Sequence, residues 1–209
     1  MKKIMKRVSV IALSLILILC FTGCGSKPDS AVKTFCDALK GFDLAAARDC
    51  LQNPSEEDET LASEEEIAEG LGSEQFLDYL KECATKMTYE IGEIVEDGDT
   101  ATVAVKFTYT DVSPVMTAAL SDYLIKGFSM ALSGSDESDL ENLLYDTFME
   151  KTETEETTTA TCDATFDCVR VDGEWKIDTL SEDAGTAVIN VLTGNMATAI
   201  DEWSSNWDE

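Results

Sequence analysis

The chain has 209 residues, 44% hydrophobic and 27% charged, which is ordinary globular usage for one domain with a leader. Fifteen Lys and Arg stand against 42 Asp and Glu, a net charge of −27, and histidine is absent. So acidic a surface is repelled by phosphate backbones, which excludes nucleic acid as a partner; the lack of histidine excludes a Ser-His-Asp triad, a Cys-His pair and His-ligated zinc.

Lys2, Lys3, Lys6 and Arg7 open the chain, and Val8 to Phe21 then runs apolar apart from Ser9 and Ser14. An apolar run of about 14 residues is too short to cross a ~30 Å hydrocarbon core as a helix. It has the length of the apolar part of an export signal. Phe21-Thr22-Gly23-Cys24 resembles the lipobox of bacterial lipoproteins, with Phe21 where Leu is commoner. The resemblance implies that residues 1–23 are a cleaved signal peptide, that the Cys24 thiol carries a diacylglyceryl group, and that 24–27 form a tether. What remains, 186 residues with 11 basic and 42 acidic side chains, carries −31. Anionic headgroups push such a body away. Attachment then rests on acyl chains, of which two hold stably where one does not, at ~0.8 kcal/mol per buried CH₂. The expected location is the cell membrane, on its extracytoplasmic face.

A single domain is expected over 28–209. Pro28 and Asp29 suit the start of a helix, with Ala31, Val32, Phe35, Leu39 and Phe42 as its apolar stripe. Gly41 breaks it, and Asp43 caps a second short helix through Leu51. Residues 52–73 read as an acidic loop around Pro54, with acidic runs at Glu56 to Glu59 and Glu64 to Glu66. Ser73 then caps a third helix bearing Phe76, Leu77, Leu80 and Cys83.

The apolar period next changes from 3.6 to 2. Met87 to Val95 and Thr100 to Thr110 read as strands of a hairpin turned by Asp97-Gly98-Asp99. Residues 115–150 return to helical spacing as an insert. Met116, Leu120, Tyr123, Leu124 and Phe128 form its first stripe, and Ser138 to Glu141 read as a capping box for a second helix. A third strand carries Ala160, Cys162, Ala164, Phe166 and Cys168 on one face. Asp172-Gly173 turns the chain into a fourth, Trp175 to Asp178, and a C-terminal helix presents Val188, Val191, Leu192, Met196, Ala199, Ile200 and Trp203. Helices and strands that do not alternate singly argue for an α+β fold with an antiparallel sheet.

Three stretches carry a further resemblance: Ala31-Val32-Lys33-Thr34-Phe35 with Phe42-Asp43, the turn Asp97-Gly98-Asp99, and Asp172-Gly173-Glu174-Trp175-Lys176-Ile177. In this order they resemble the nuclear transport factor 2-like (cystatin-like) fold, as found in lipoproteins of Gram-positive bacteria. The resemblance implies a curved four-stranded sheet wrapped around a helix, leaving an apolar cone. The insert and the last helix depart from the plain fold.

Five cysteines remain after the anchor, an odd number. Cys162 and Cys168 stand about 20 Å apart along one strand, too far to pair within it. Cys36 and Cys50 lie on helices that a short turn can fold together and are the disulfide candidates. For Cys83, Cys162 and Cys168 the competing reading is small buried thiols filling the core. No C-x-x-C occurs, so neither a redox dithiol nor a zinc ribbon is supported. Asp111, Asp163 and Asp167 read as surface charge, and Trp203 and Trp207 as packing or cavity lining. No catalytic constellation, metal site or cofactor is read from the sequence. The expectation is a non-catalytic, membrane-anchored module whose partner is a small apolar ligand or an envelope protein. The alternatives are a carboxylate-dependent isomerase or cyclase-like enzyme, and a structural interaction module acting through the inserted helices.

Overall fold

The computed structural model describes residues 27–53, 61, 74–133 and 137–205, without the side chains of 131, 133 and 137–142. Helix α1 spans Pro28–Lys40, with Pro28 in its first turn, Asp29 beside it and Lys40 in the last turn, as the helix dipole favours. Its stripe Ala31, Val32, Phe35, Cys36 and Leu39 is fully buried. Helix α2, Leu44–Asp49, starts where the Asp43 carboxylate accepts the Ala46 N–H at 2.9 Å, the cap the sequence calls for. Helix α3 covers Glu74–Lys86; the capping role expected of Ser73 and the acidic runs of 56–59 and 64–66 lie outside the described residues.

Strands β1, Thr88–Asp97, and β2, Thr100–Asp111, form the expected hairpin, with Gly98 at φ +66 in its turn. Helices α4, Ser113–Ser133, and α5, Glu137–Thr152, follow as the insert. Because α5 already begins at Glu137, Ser138 lies within it and not at its cap. Strands β3, Thr158–Val171, and β4, Glu174–Ile177, make the second hairpin around Asp172 and Gly173, both at positive φ. That is the sign pattern of a type I′ turn, whose twist matches that of the strands. All four strands form one antiparallel sheet in chain order, β1-β2-β3-β4. The architecture is therefore α+β, with seven helices among the described residues.

Register fixes the two faces. Ala101, Val103, Val105, Phe107 and Tyr109 of β2 stand opposite Cys168, Phe166, Ala164, Cys162 and Ala160 of β3, forming the inner face. Thr102, Lys106 and Thr108 face outward beside Asp167, Asp163 and Thr161. Strand β1 departs from the simple alternation expected of it. Ile91 pairs with Val105 but Ile94 with Val103, so Gly92 and Glu93 together oppose Ala104 as a bulge. The extra residue turns Val95 to the outer face, where it is 54% exposed.

Helix α1 crosses the inner face against all four strands, while α3 and helix α6, Glu182–Thr193, pack beside it. Phe35 meets Phe166 edge-on at 5.4 Å and Phe166 meets Phe107 at 6.4 Å, so aromatic rings fill the centre of that face. After α2 the chain runs along the β4 edge: the Ile177 N–H donates to the Cys50 carbonyl at 3.0 Å and the Gln52 N–H to the Ile177 carbonyl at 2.7 Å. The expected single C-terminal helix is two. Gly194 and Asn195, at φ +61 and +64, end α6 and turn the chain into α7, Met196–Ser205, which packs against α4 and α6. A periodic stripe continues through such a break, since the two-residue turn leaves both helices facing one core.

Candidate interaction surface

Helix α4 has two apolar faces. At about 100° per residue, Val115, Met116, Ala119 and Leu120 lie together, and all four are buried in the common core. Ile125, Phe128 and Leu132 sit roughly 120° to 180° round from Met116, with Leu124 at the border. They are exposed by 69%, 70%, 75% and 39% respectively. The stripe expected from sequence joins members of both faces: Met116 and Leu120 belong to the core, whereas Leu124 and Phe128 point to solvent. A signal for this is legible in the spacing, because Ile125 and Leu132 fit no stripe containing Met116.

The helix carries only two charged residues, Asp122 and Lys126, and both are turned to α5. Lys126 Nζ donates to Glu150 Oε2 at 2.7 Å, and Lys151 Nζ meets Asp122 Oδ2 at 2.8 Å. These crossed pairs bind α4 to α5 and leave the outer face with Thr117, Ser121, Ser129 and the four large apolar side chains. From Thr117 to Leu132 that face runs for about 22 Å at 1.5 Å per residue without a charge, in a chain where 27% of residues are charged. Isolated exposed apolar residues are normal, but a contiguous row marks a contact surface. Among the described residues no helix is long and apolar enough to cross a membrane, α4 included.

The other candidates resolve into structural roles. Asp111 caps the start of α4, accepting from the Ser113 N–H at 3.0 Å, Ser113 Oγ at 2.7 Å and Thr158 Oγ1 at 3.0 Å. Burial works against its charge, yet these donors hold its carboxyl below the ordinary value. Tyr109, 4% exposed, donates its hydroxyl to Asn195 Oδ1 at 2.6 Å, and burial pushes its pKa up to about 12. On the far side, the Tyr89 hydroxyl donates to Asp37 Oδ1 at 2.5 Å and Lys33 Nζ to Asp37 Oδ2 at 2.7 Å, tying α1 to β1. Asp163 and Asp167 are exposed on the outer sheet face. A shallow groove of about 350 Å³ there gathers Asp97, Asp167 and Asp178 around Val95 and Thr102. Among the described residues no cluster of carboxylates or thiols is arranged to hold a metal ion.

Cys24 lies outside the described residues, as does Trp207. Cys36, Cys50, Cys83, Cys162 and Cys168 are not in disulfides, so the expected Cys36–Cys50 bond is not formed. Burial pushes the Cys36 thiol up to about 12 and raises those of Cys83 and Cys162, which keeps them protonated and unreactive. Cys50 donates to the Ala46 carbonyl at 3.4 Å within its own helix. Trp203 packs against the core. No known protein family, curated protein or solved structure matches this chain.

Proposed function

We propose that this chain is a lipid-anchored, extracytoplasmic docking module of the nuclear transport factor 2-like (cystatin-like) class. In this reading Cys24 carries the acyl chains, the domain has no catalytic activity of its own, and the outer face of α4 engages an envelope protein. The observation that carries it is the uncharged row Leu124, Ile125, Phe128 and Leu132, standing in solvent on a helix whose opposite face is core. A cystatin-like cone is supported by α1 lying across four antiparallel strands and by the bulge at Gly92 and Glu93, since a bulge bends and twists its strand. Ligand capture inside that cone is the weaker reading, because Phe35, Phe107 and Phe166 occupy the centre of the inner face. An acid-base role for Asp111 or Tyr109 is weaker still, since both are committed to hydrogen bonds that hold β2, α4 and α7 together.

Photo-crosslinking in intact cells tests the docking. Benzoylphenylalanine placed at Phe128 should give a discrete adduct that the same group at Lys106, on the outer sheet face, does not give. Equal or absent adducts at the two positions would remove the docking reading. The anchor is tested separately: Cys24→Ser should release the chain from the membrane fraction and block processing before residue 24. A mutant as firmly bound and as fully processed as the wild type would refute it.

A further inference from the structure

We infer that the segment docking on α4 is a basic amphipathic stretch of another polypeptide, apolar along its middle and flanked by Lys or Arg. This rests on the docking reading above and adds the chemistry of the partner. Three observations set that chemistry. The exposed row is uncharged, because Asp122 and Lys126 are spent on the α5 side in ion pairs with Lys151 and Glu150. It therefore accepts only an apolar counterface; a charge buried there would lie unpaired. Just beyond Leu132 the sequence continues with Asp136, Glu137, Asp139 and Glu141, and residues 113–152 contain seven acidic against two basic side chains. The insert that bears the row is thus acidic in sequence, as is the whole chain at −27. Complementary charge speeds encounter and suppresses wrong partners, and here it selects a cation-rimmed partner. A second copy of this chain would bring the same excess of negative charge against the first. An anionic bilayer would repel so acidic a chain in the same way.

The test uses the protein purified from its own membranes and held in nanodiscs of zwitterionic lipid, with empty discs as background. The probe is a fluorescent 18-residue helical peptide with leucine on one face and lysine on its flanks; a second peptide keeps the leucines and has glutamate flanks. The lysine peptide should bind saturably and weaken severalfold between 50 and 300 mM salt. The glutamate peptide should bind at least tenfold more weakly. Phe128→Ser with Leu132→Ser should weaken the lysine peptide about tenfold or more, since truncations at an interface centre carry most of its energy. Both positions are solvent-exposed, so the variant should melt with the wild type, and that melt serves as the folding control. Equal binding of the two peptides would overturn the basic partner while leaving the crosslink at position 128, and hence the docking reading, standing. Undiminished binding by the folded double variant would overturn the assignment to α4. Dimers lost on Phe128→Ser would give the face to a second copy, and flotation with phosphatidylglycerol vesicles lost on that change would give it to lipid; either result also overturns the proposal.

Discussion

Gly194 sits in a turn with no room for a side chain. Its φ is +61, and a Cβ placed on it would come within 2.8 Å of the Thr110 carbonyl oxygen and 3.2 Å of both Val112 methyl carbons. The Val112 N–H also donates to its carbonyl at 2.9 Å, so the turn cannot back away without breaking that bond. Gly194→Ala combines about 1 kcal/mol for the left-handed backbone with a clash against rigid main chain, and it should cost about 3 kcal/mol in denaturant unfolding. Gly173→Ala is the contrast: φ is +89 but nothing lies within 4 Å, so about 1 kcal/mol is expected. Equal losses would show that backbone conformation alone governs both. Asp111, at the same junction, gives a pH test. Its folded pKa is depressed by its donors against burial, so its contribution is present above the unfolded value of about 3.9 and lost as pH falls through the folded value. Asp111→Asn should lower stability by about 1 kcal/mol at neutral pH and flatten the acid limb of the stability curve below about pH 4. A parallel limb in the mutant would contradict this. At this scale the sequence is only partly readable. Asp43 and the Asp172-Gly173 turn behave as their chemistry dictates. The end of α1 does not: Gly41 stays right-handed and the bulky Phe42 takes φ +55, a strained conformation made tolerable by its burial to 3% exposure.

Between elements, the question is what holds the α4–α5 pair to the body. The buried end of α4 joins the core through Val115, Met116, Ala119 and Leu120. Helix α5 contributes Phe148, which packs edge-on against Phe76 at 5.0 Å and Tyr79 at 5.4 Å. The two ion pairs between the helices are partly exposed and solvent-screened, so each contributes little, and apolar packing dominates. One flaw stands in that packing: Thr147 is 1% exposed and its hydroxyl has no hydrogen-bond partner. Valine has the same shape without the hydroxyl. Thr147→Val should therefore stabilise the protein by about 1 kcal/mol, read from the shift in its denaturant midpoint. A destabilisation of that size would mean that the hydroxyl is satisfied, by water for instance. The outcomes for elements also show what periodicity can carry. Strand faces were legible, because each side chain alternates with a fixed period of two. The bulge at Gly92 was not, since one extra residue leaves local composition unchanged. For α4 the spacing shows that there are two apolar faces but not which one is covered, because leucine and phenylalanine read alike in either setting and only the neighbouring elements decide.

For the whole molecule, charge is the dominant unbalanced quantity. The chain has 27 more acidic than basic side chains, and the ion pairs among the described residues, Lys33 with Asp37, Lys86 with Glu82, Lys126 with Glu150 and Lys151 with Asp122, neutralise few of them. The screening length is about 30 Å at 10 mM salt and about 10 Å at 0.1 M. A domain of this length has a radius of gyration of about 16 Å, so at low salt each carboxylate senses repulsion from across the globule, and at moderate salt only from its neighbours. Repulsion opposes the compact state more than the expanded chain. Two effects of salt then compete. Screening relieves the repulsion, and it also weakens the few exposed pairs, each of which contributes little. With so large an excess of one sign, relief should win. Raising sodium chloride from 10 to 300 mM at pH 7 should lift the melting temperature by several degrees, most steeply below 100 mM, and Lys33→Ala should leave the slope nearly unchanged. A melting temperature that falls with salt would mean that the few ion pairs outweigh the field of the whole molecule. The basic partner inferred for α4 would then have to be recognised by local contacts alone, because the long-range attraction that selects it comes from the same uncompensated charge.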